Sequence, residues 1–144
     1  MHRTIVVGYD ASEGAHAALD TAIDLAKLID AKLVAVFSFE IPAAYGGETG
    51  DYRRAVREVA EKVGQEAVER IGAAGAKCEL ELIPERPAAG LVRVAEERGA
   101  SMIVVGTHGE HPISGAILGS VPHKLLHISP LPVLVVPVWK DEEE

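Results

Sequence analysis

The 144-residue chain has one cysteine, one tryptophan, three tyrosines and two phenylalanines. Cys78 alone cannot form an internal disulfide, and its setting in "KCELEL" reads as a half-buried strand residue rather than a reactive thiol. So few aromatics leave Val, Leu, Ile and Ala to build the core. Basic charge is also short: 14 Lys and Arg stand against 22 Asp and Glu, a formal charge of −8. Nucleic acid and anionic membrane surfaces need a basic footprint, so neither is expected as a partner. No apolar run is long enough to cross a bilayer, and "MHRTIVVGYD" has no apolar signal core, which makes a reducing cytoplasm the expected location.

What is present is an alternation. "TIVVGY" (Thr4 to Tyr9) and "SMIVVG" are continuous apolar runs, as strands covered on both faces should be, and "KLVAVFSF" is a further strand. "AKCELELI" alternates with period two, which suits an edge strand, and "VLVVPV" closes the series. Between them, Ala15, Ala18, Leu19, Ala22, Ala26 and Ile29 recur at helical spacing after Asp10, Ser12 and Glu13, which supply N-cap chemistry. A long helix carries Val56, Ala60, Val63, Ala67 and Ile71, another turns Leu91, Val92 and Ala95 inward, and the last spans about Val121 to Ile128. Three joints, "LIDAKLVAV", "AAGAKCEL" and "ERGASMIVV", end a helix in Asp or Gly, the residues that suit a left-handed C-cap. Five strands alternating with four helices predict a single α/β domain over residues 1–140, its parallel sheet covered by helices on both faces, with "DEEE" (141–144) as a solvated tail.

In such a sheet, ligands lie beyond the carboxyl ends of the strands, where strand order reverses. That directs attention to Asp10 and Ser12 after the first strand and to "GTHGEHPISGAILGS" (Gly106 to Ser120) after the fourth. Gly106 and Gly109 allow close backbone approach, and Gly119 and Ser120 open a helix whose free N–H groups and dipole favour an anion. No lysine follows Gly119 as a Walker loop requires, and Gly-x-Gly-x-x-Gly is missing after the first strand, so neither a P-loop NTPase nor a Rossmann dehydrogenase is expected. Ordinary glycine turns remain the competing interpretation.

The stretch reads Gly106-x2-Gly109-x9-Gly119-Ser120, and it resembles the ATP-binding signature of the universal stress protein family, Gly-x2-Gly-x9-Gly-[Ser/Thr]. "TIVVGYDASEGAHAALDTAIDLA" and "VPHKLLHISPLPVLVVP" resemble that family's opening and closing units, so the similarity covers essentially the full chain. The resemblance implies strand order 3-2-1-4-5 in a Rossmann-like fold akin to the adenine nucleotide alpha hydrolases, with ATP, accompanied by Mg²⁺, at the carboxyl edge. It places Asp10 and Ser12 near the nucleoside end, the backbone of Ser38 at the adenine, Gly106, Thr107, His108 and Gly109 beside ribose and phosphates, and Gly119, Ser120 and Val121 at the phosphate turn. It also implies a homodimer through an exposed last strand, Val133 to Val138, with Trp139 nearby.

The pattern is departed from at Glu85-Arg86-Pro87, where relatives read Gly-x-Pro, at Glu110, which adds a carboxylate beside His111, and at Pro122, which removes an N–H from the anion site. Four of the six histidines fall between His108 and His127; His123 and His127 share a helix face, half of a metal site with no third local ligand. No base is oriented on a nucleophile, so a nucleotide-dependent stress-response regulatory module is favoured over a slow ATP hydrolase in the same cleft. A protein of the same fold that binds partners without nucleotide is the third alternative.

Overall fold

The computed structural model describes residues 3–39, 50–108 and 118–138. Gly109, Glu110, His111, Trp139 and the acidic tail lie outside them. The strands are β1 (Arg3–Gly8), β2 (Ala31–Ser38), β3 (Cys78–Ile83), β4 (Met102–Gly106) and β5 (Val133–Val136); the helices are α1 (Glu13–Ile29), α2 (Gly50–Ala73), α3 (Pro87–Glu97) and α4 (Ser120–Ile128). The strands form one sheet in the order β3-β2-β1-β4-β5, parallel throughout. The expected 3-2-1-4-5 plan is therefore the observed one.

Side-chain alternation along the strands divides the core in two. Ile5, Val7, Leu33, Ala35 and Val104 pack under α1 and α2, against Ala18, Leu19, Ala22, Ala67 and Ile71. Val6, Val34, Val36, Ile103 and Val105 pack under α3 and α4, against Leu91, Val94, Ala95 and Leu125. Within α3, Val94 is fully buried and Val92 only partly, so the inward stripe is Leu91, Val94 and Ala95. Val56 and Val63 of α2 are likewise half-buried, beside the buried Ala60, Ala67 and Ile71.

The three αβ joints adopt the geometry their residues suggested. Asp30, Gly75 and Gly99 have φ of 53°, 81° and 61°, the left-handed caps that let each helix turn into the next strand. β1 stops at Gly8, one residue short of the expected Tyr9, although the Tyr9 N–H still donates to the Val36 carbonyl at 2.9 Å. β5 likewise ends at Val136, before Pro137, which has no N–H to continue a ladder.

Strand order reverses between β1 and β4: β1 leads outward to β2 and β3, whereas β4 leads the other way to β5. The crossovers therefore leave opposite faces there, and a crevice opens beyond the carboxyl ends of β1 and β4.

Candidate functional site

A cavity of about 420 Å³ occupies that crevice, a volume in the range of small-molecule sites. Gly8, Val36 and Val105 form its sheet side, and Pro87 and Leu91 of α3 form an apolar flank. Asp10, Ser12, Ser38 and Ser120 supply polar groups around it, His108 adds an imidazole, and Val121 and Pro122 close the α4 side. Of the residues singled out from the sequence, Asp10, Ser12, Ser38, Gly106, His108, Gly119, Ser120 and Val121 thus meet around one cavity. Thr107 is not among the lining residues, and Gly109 is outside the described residues.

The turn after β1 is set by side-chain capping. Ser12 is the N-cap of α1, its Oγ accepting from the Ala15 N–H at 3.0 Å, and the Asp10 carboxylate accepts from the Ser12 N–H at 3.0 Å. Between them Ala11 takes φ of 63°, a left-handed conformation that costs a non-glycine residue free energy. The two caps hold that turn and fix the Asp10 carboxylate at the cavity. The Tyr9 side chain points to the other face of the sheet, where its hydroxyl meets His16 Nε2 at 2.9 Å. Burial pushes the Tyr9 phenol pKa up, the nearby Glu66 and Asp10 carboxylates add to the rise, and Arg70 opposes it.

Three chain segments meet at the opposite wall with backbone against backbone. A Cβ on Gly14 would stand 2.2 Å from the His108 carbonyl oxygen, and one on Gly106 would stand 2.5 Å from the Gly14 carbonyl oxygen. The start of α1 and the exit of β4 can approach this closely because neither carries a side chain at the contact. The absent side chain of Gly106 therefore makes room for α1, where the sequence suggested room for a ligand. Gly14 carries no motif signature; its only trace in the sequence is a glycine placed early in a helix, where it is otherwise unfavourable.

The third segment is the start of α4. The Gly119 N–H donates to the Thr107 carbonyl at 2.7 Å, tying α4 to the β4 exit. Gly119 is the N-cap, the His123 N–H donates to its carbonyl at 3.2 Å, and Ser120, Val121 and Pro122 fill the first turn. A helix leaves its first N–H groups without intrahelical partners. Here those are the Ser120 and Val121 amides, because the Gly119 N–H is engaged and Pro122 has none. The Thr107 hydroxyl lies 3.2 Å from His108 Nδ1.

The charged edge at Glu85 is neutralised locally. Arg93 reaches Glu85 through two nitrogens and Glu97 at 2.9 Å, so the Glu85 carboxylate is committed to α3, and Pro87 rather than Glu85 lines the cavity. His123 and His127 lie on an exposed face of α4, ring centroids 4.9 Å apart. Among the described residues no group of three or more His, Cys, Asp or Glu side chains could hold a metal ion, and no helix is long and apolar enough to cross a membrane.

A family model described as the universal stress protein family matches residues 1–137. A universal stress protein of Methanocaldococcus jannaschii is 30% identical over 146 residues, covering 99% of this chain and 86% of that protein. Among solved structures, a universal stress protein in complex with cAMP is 32% identical with a TM-score of 0.69, covering 94% of this chain and 97% of its own. The universal stress protein from Archaeoglobus fulgidus in complex with dAMP is 26% identical with a TM-score of 0.72, covering 94% and 98%.

Proposed function

The chain belongs to the universal stress protein family, and from that premise we propose that it binds ATP in the β1/β4 cavity and acts as a nucleotide-dependent regulatory module in a cytoplasmic stress response. The observation that carries this is the junction of Gly14, Gly106–His108 and Gly119, which sets Ser120 and Val121, at the start of α4, on the lining of a cavity whose far side is apolar. Phosphates suit the amides at the positive end of α4. Sugar hydroxyls suit Asp10, an ionised carboxylate being an acceptor only. An aromatic base suits the flank built by Val36, Pro87 and Leu91. Two relatives of known structure hold adenine nucleotides, one cAMP and one dAMP, which supports the same ligand class here.

The donor set constrains how charge is handled. Asp10 is the one carboxylate among the described lining residues, too few oxygens for a dedicated Mg²⁺ cage. Any Mg²⁺ would be held mainly by the phosphates themselves, with water completing its octahedron. Its contribution is to offset the repulsion between the triphosphate and Asp10. Ser120, Val121 and His108 then orient the phosphates, while the bonds at Asp10 and Ser12 keep the nucleoside end in place.

The homodimer belongs to the same proposal. β5 is an edge strand, its Leu134 is 38% exposed, and unpaired edge groups offer a ladder to a second copy. The proposed seam is Val133 to Val138 of each copy, paired antiparallel; β5 itself spans Val133–Val136.

Freshly purified protein, denatured and analysed by mass spectrometry, is expected to release adenine nucleotide, and ATP is expected to raise its unfolding temperature further when Mg²⁺ is present. No released nucleotide and no thermal shift with ATP would overturn the assignment in favour of an interaction protein of the same fold. Steady ADP production lost on Asp10→Ala or His108→Ala would replace it with the hydrolase.

A further inference from the structure

Ser38 closes β2 on the face that carries Val34 and Val36, because side chains two apart on a strand share a face. It lines the cavity, yet its Oγ is out of reach of solvent and has no hydrogen-bond partner among the described residues. No other buried side-chain oxygen or nitrogen among them is in that condition. An unpaired buried hydroxyl is destabilising, because its water partners are lost and nothing replaces them. The apolar side chains of Val36, Leu91 and Val105 in the same cavity have no polar atom to offer.

The fold also says which part of a ligand Ser38 would meet. The order β2-β1-β4 puts Ser38 two strands from the β4 exit and the start of α4. Adjacent strands are about 4.8 Å apart, so the span from β2 to β4 is roughly 10 Å. A nucleotide whose phosphates sit on the Ser120 and Val121 amides has its base at the β2 end of the crevice. There the faces of the base can pack on apolar side chains while its edge still needs polar partners. The hydroxyl turns about one bond between staggered positions, so it can swing to the cavity, and it can donate to a ring nitrogen or accept from an exocyclic amine.

We propose that Ser38 is a specificity-determining residue whose hydroxyl hydrogen-bonds the polar edge of a purine base, beyond any contact its backbone makes. This rests on the adenine-nucleotide assignment. Protein stability is lower for carrying the unpaired hydroxyl, and base affinity is higher for it, so its removal moves the two in opposite directions.

The test compares wild type with Ser38→Ala and Ser38→Thr, using AMP and, as a probe without a base, ribose 5-phosphate in competition. Ser38→Ala is expected to weaken AMP binding about five- to ten-fold, the loss of one hydrogen bond. It should leave ribose 5-phosphate unchanged and raise the unfolding temperature of the ligand-free protein. Ser38→Thr, which keeps the hydroxyl, should bind AMP within about two-fold of wild type. A Ser38→Ala protein that binds AMP like wild type, that loses AMP and ribose 5-phosphate in equal proportion, or that unfolds at a lower temperature would overturn the inference while the adenine-nucleotide assignment stands. A wild-type protein that binds no AMP and no ATP would overturn both.

Discussion

Replacing Gly14 by alanine puts a methyl group where the β4 exit already runs. The new Cβ would stand 2.2 Å from the His108 carbonyl oxygen, whereas a carbon resting against a carbonyl oxygen needs about 3.3 Å. The segments must therefore part by roughly 1 Å, the difference between the two distances, and both sides of the contact are backbone. Overpacking of this kind costs about 1–3 kcal/mol, and alanine's better helix propensity returns up to about 1 kcal/mol. The net loss lies between about 0 and 3 kcal/mol, and its middle value of about 1.5 kcal/mol corresponds to an unfolding temperature lower by roughly 3–6 °C at this chain length. The matched control is Gly72→Ala in α2, where a Cβ meets nothing within 4 Å; it should stabilise by up to about 1 kcal/mol. Thermal unfolding followed by circular dichroism reads both. The displaced β4 exit should also weaken ATP binding by roughly three- to ten-fold, one hydrogen bond's worth. If Gly14→Ala unfolds at or above the wild-type temperature, the close packing of α1 on the β4 exit is not what holds this wall.

Pro122→Ala adds a third N–H at the start of α4 and should tighten ATP binding roughly three- to ten-fold in calorimetric titration, at a stability loss under about 1 kcal/mol; unchanged affinity would move the phosphates elsewhere. Burial pushes the Cys78 thiol pKa up, and its Sγ lies 3.7 Å from the Val68 carbonyl. Alkylation by iodoacetamide near neutral pH should therefore be slower than for a free thiol and speed up on unfolding. Arg98, with help from Lys32, holds the Glu79 carboxyl below its usual range. A lowered carboxylate pKa contributes stability above the unfolded value, and this is lost as pH falls. The stability gap between wild type and Arg98→Ala should accordingly shrink from about pH 6 to about pH 3 in urea titrations; a constant gap would remove the pairing as its cause.

The fold was legible because each level of the chain agrees. Continuous apolar runs such as "TIVVG" are buried on both faces in β1, "CELELI" alternates as an edge strand does, and Asp30, Gly75 and Gly99 mark helix ends that turn left-handed. Boundaries were less legible, since Tyr9 and Pro137 continue an apolar pattern past the point where the ladder stops. At the site, strand ends and spacing pointed to Asp10, Gly106, Gly119 and Ser120 because turns and helix starts leave local signatures, whereas Ser38 came only from the family resemblance. Leu91, Val36 and Pro87 were not identified as cavity residues, because a side chain lining a cavity has the same periodicity as one filling a core. Gly14 was missed for a related reason: its contact with His108 is fixed by tertiary geometry, and nothing within its own helix calls for a glycine. That the Gly119 N–H is already engaged was also beyond sequence, since only the structure has it donating to the Thr107 carbonyl.

The most direct measurement is an amide proton–nitrogen spectrum of the protein titrated with ATP. Binding in the β1/β4 cavity predicts the largest shifts at Ser120 and Val121, followed by Gly106, Thr107, His108 and Ser38, with α2 unaffected. Shifts centred away from the carboxyl ends of β1 and β4, or none at saturating ATP, would contradict it.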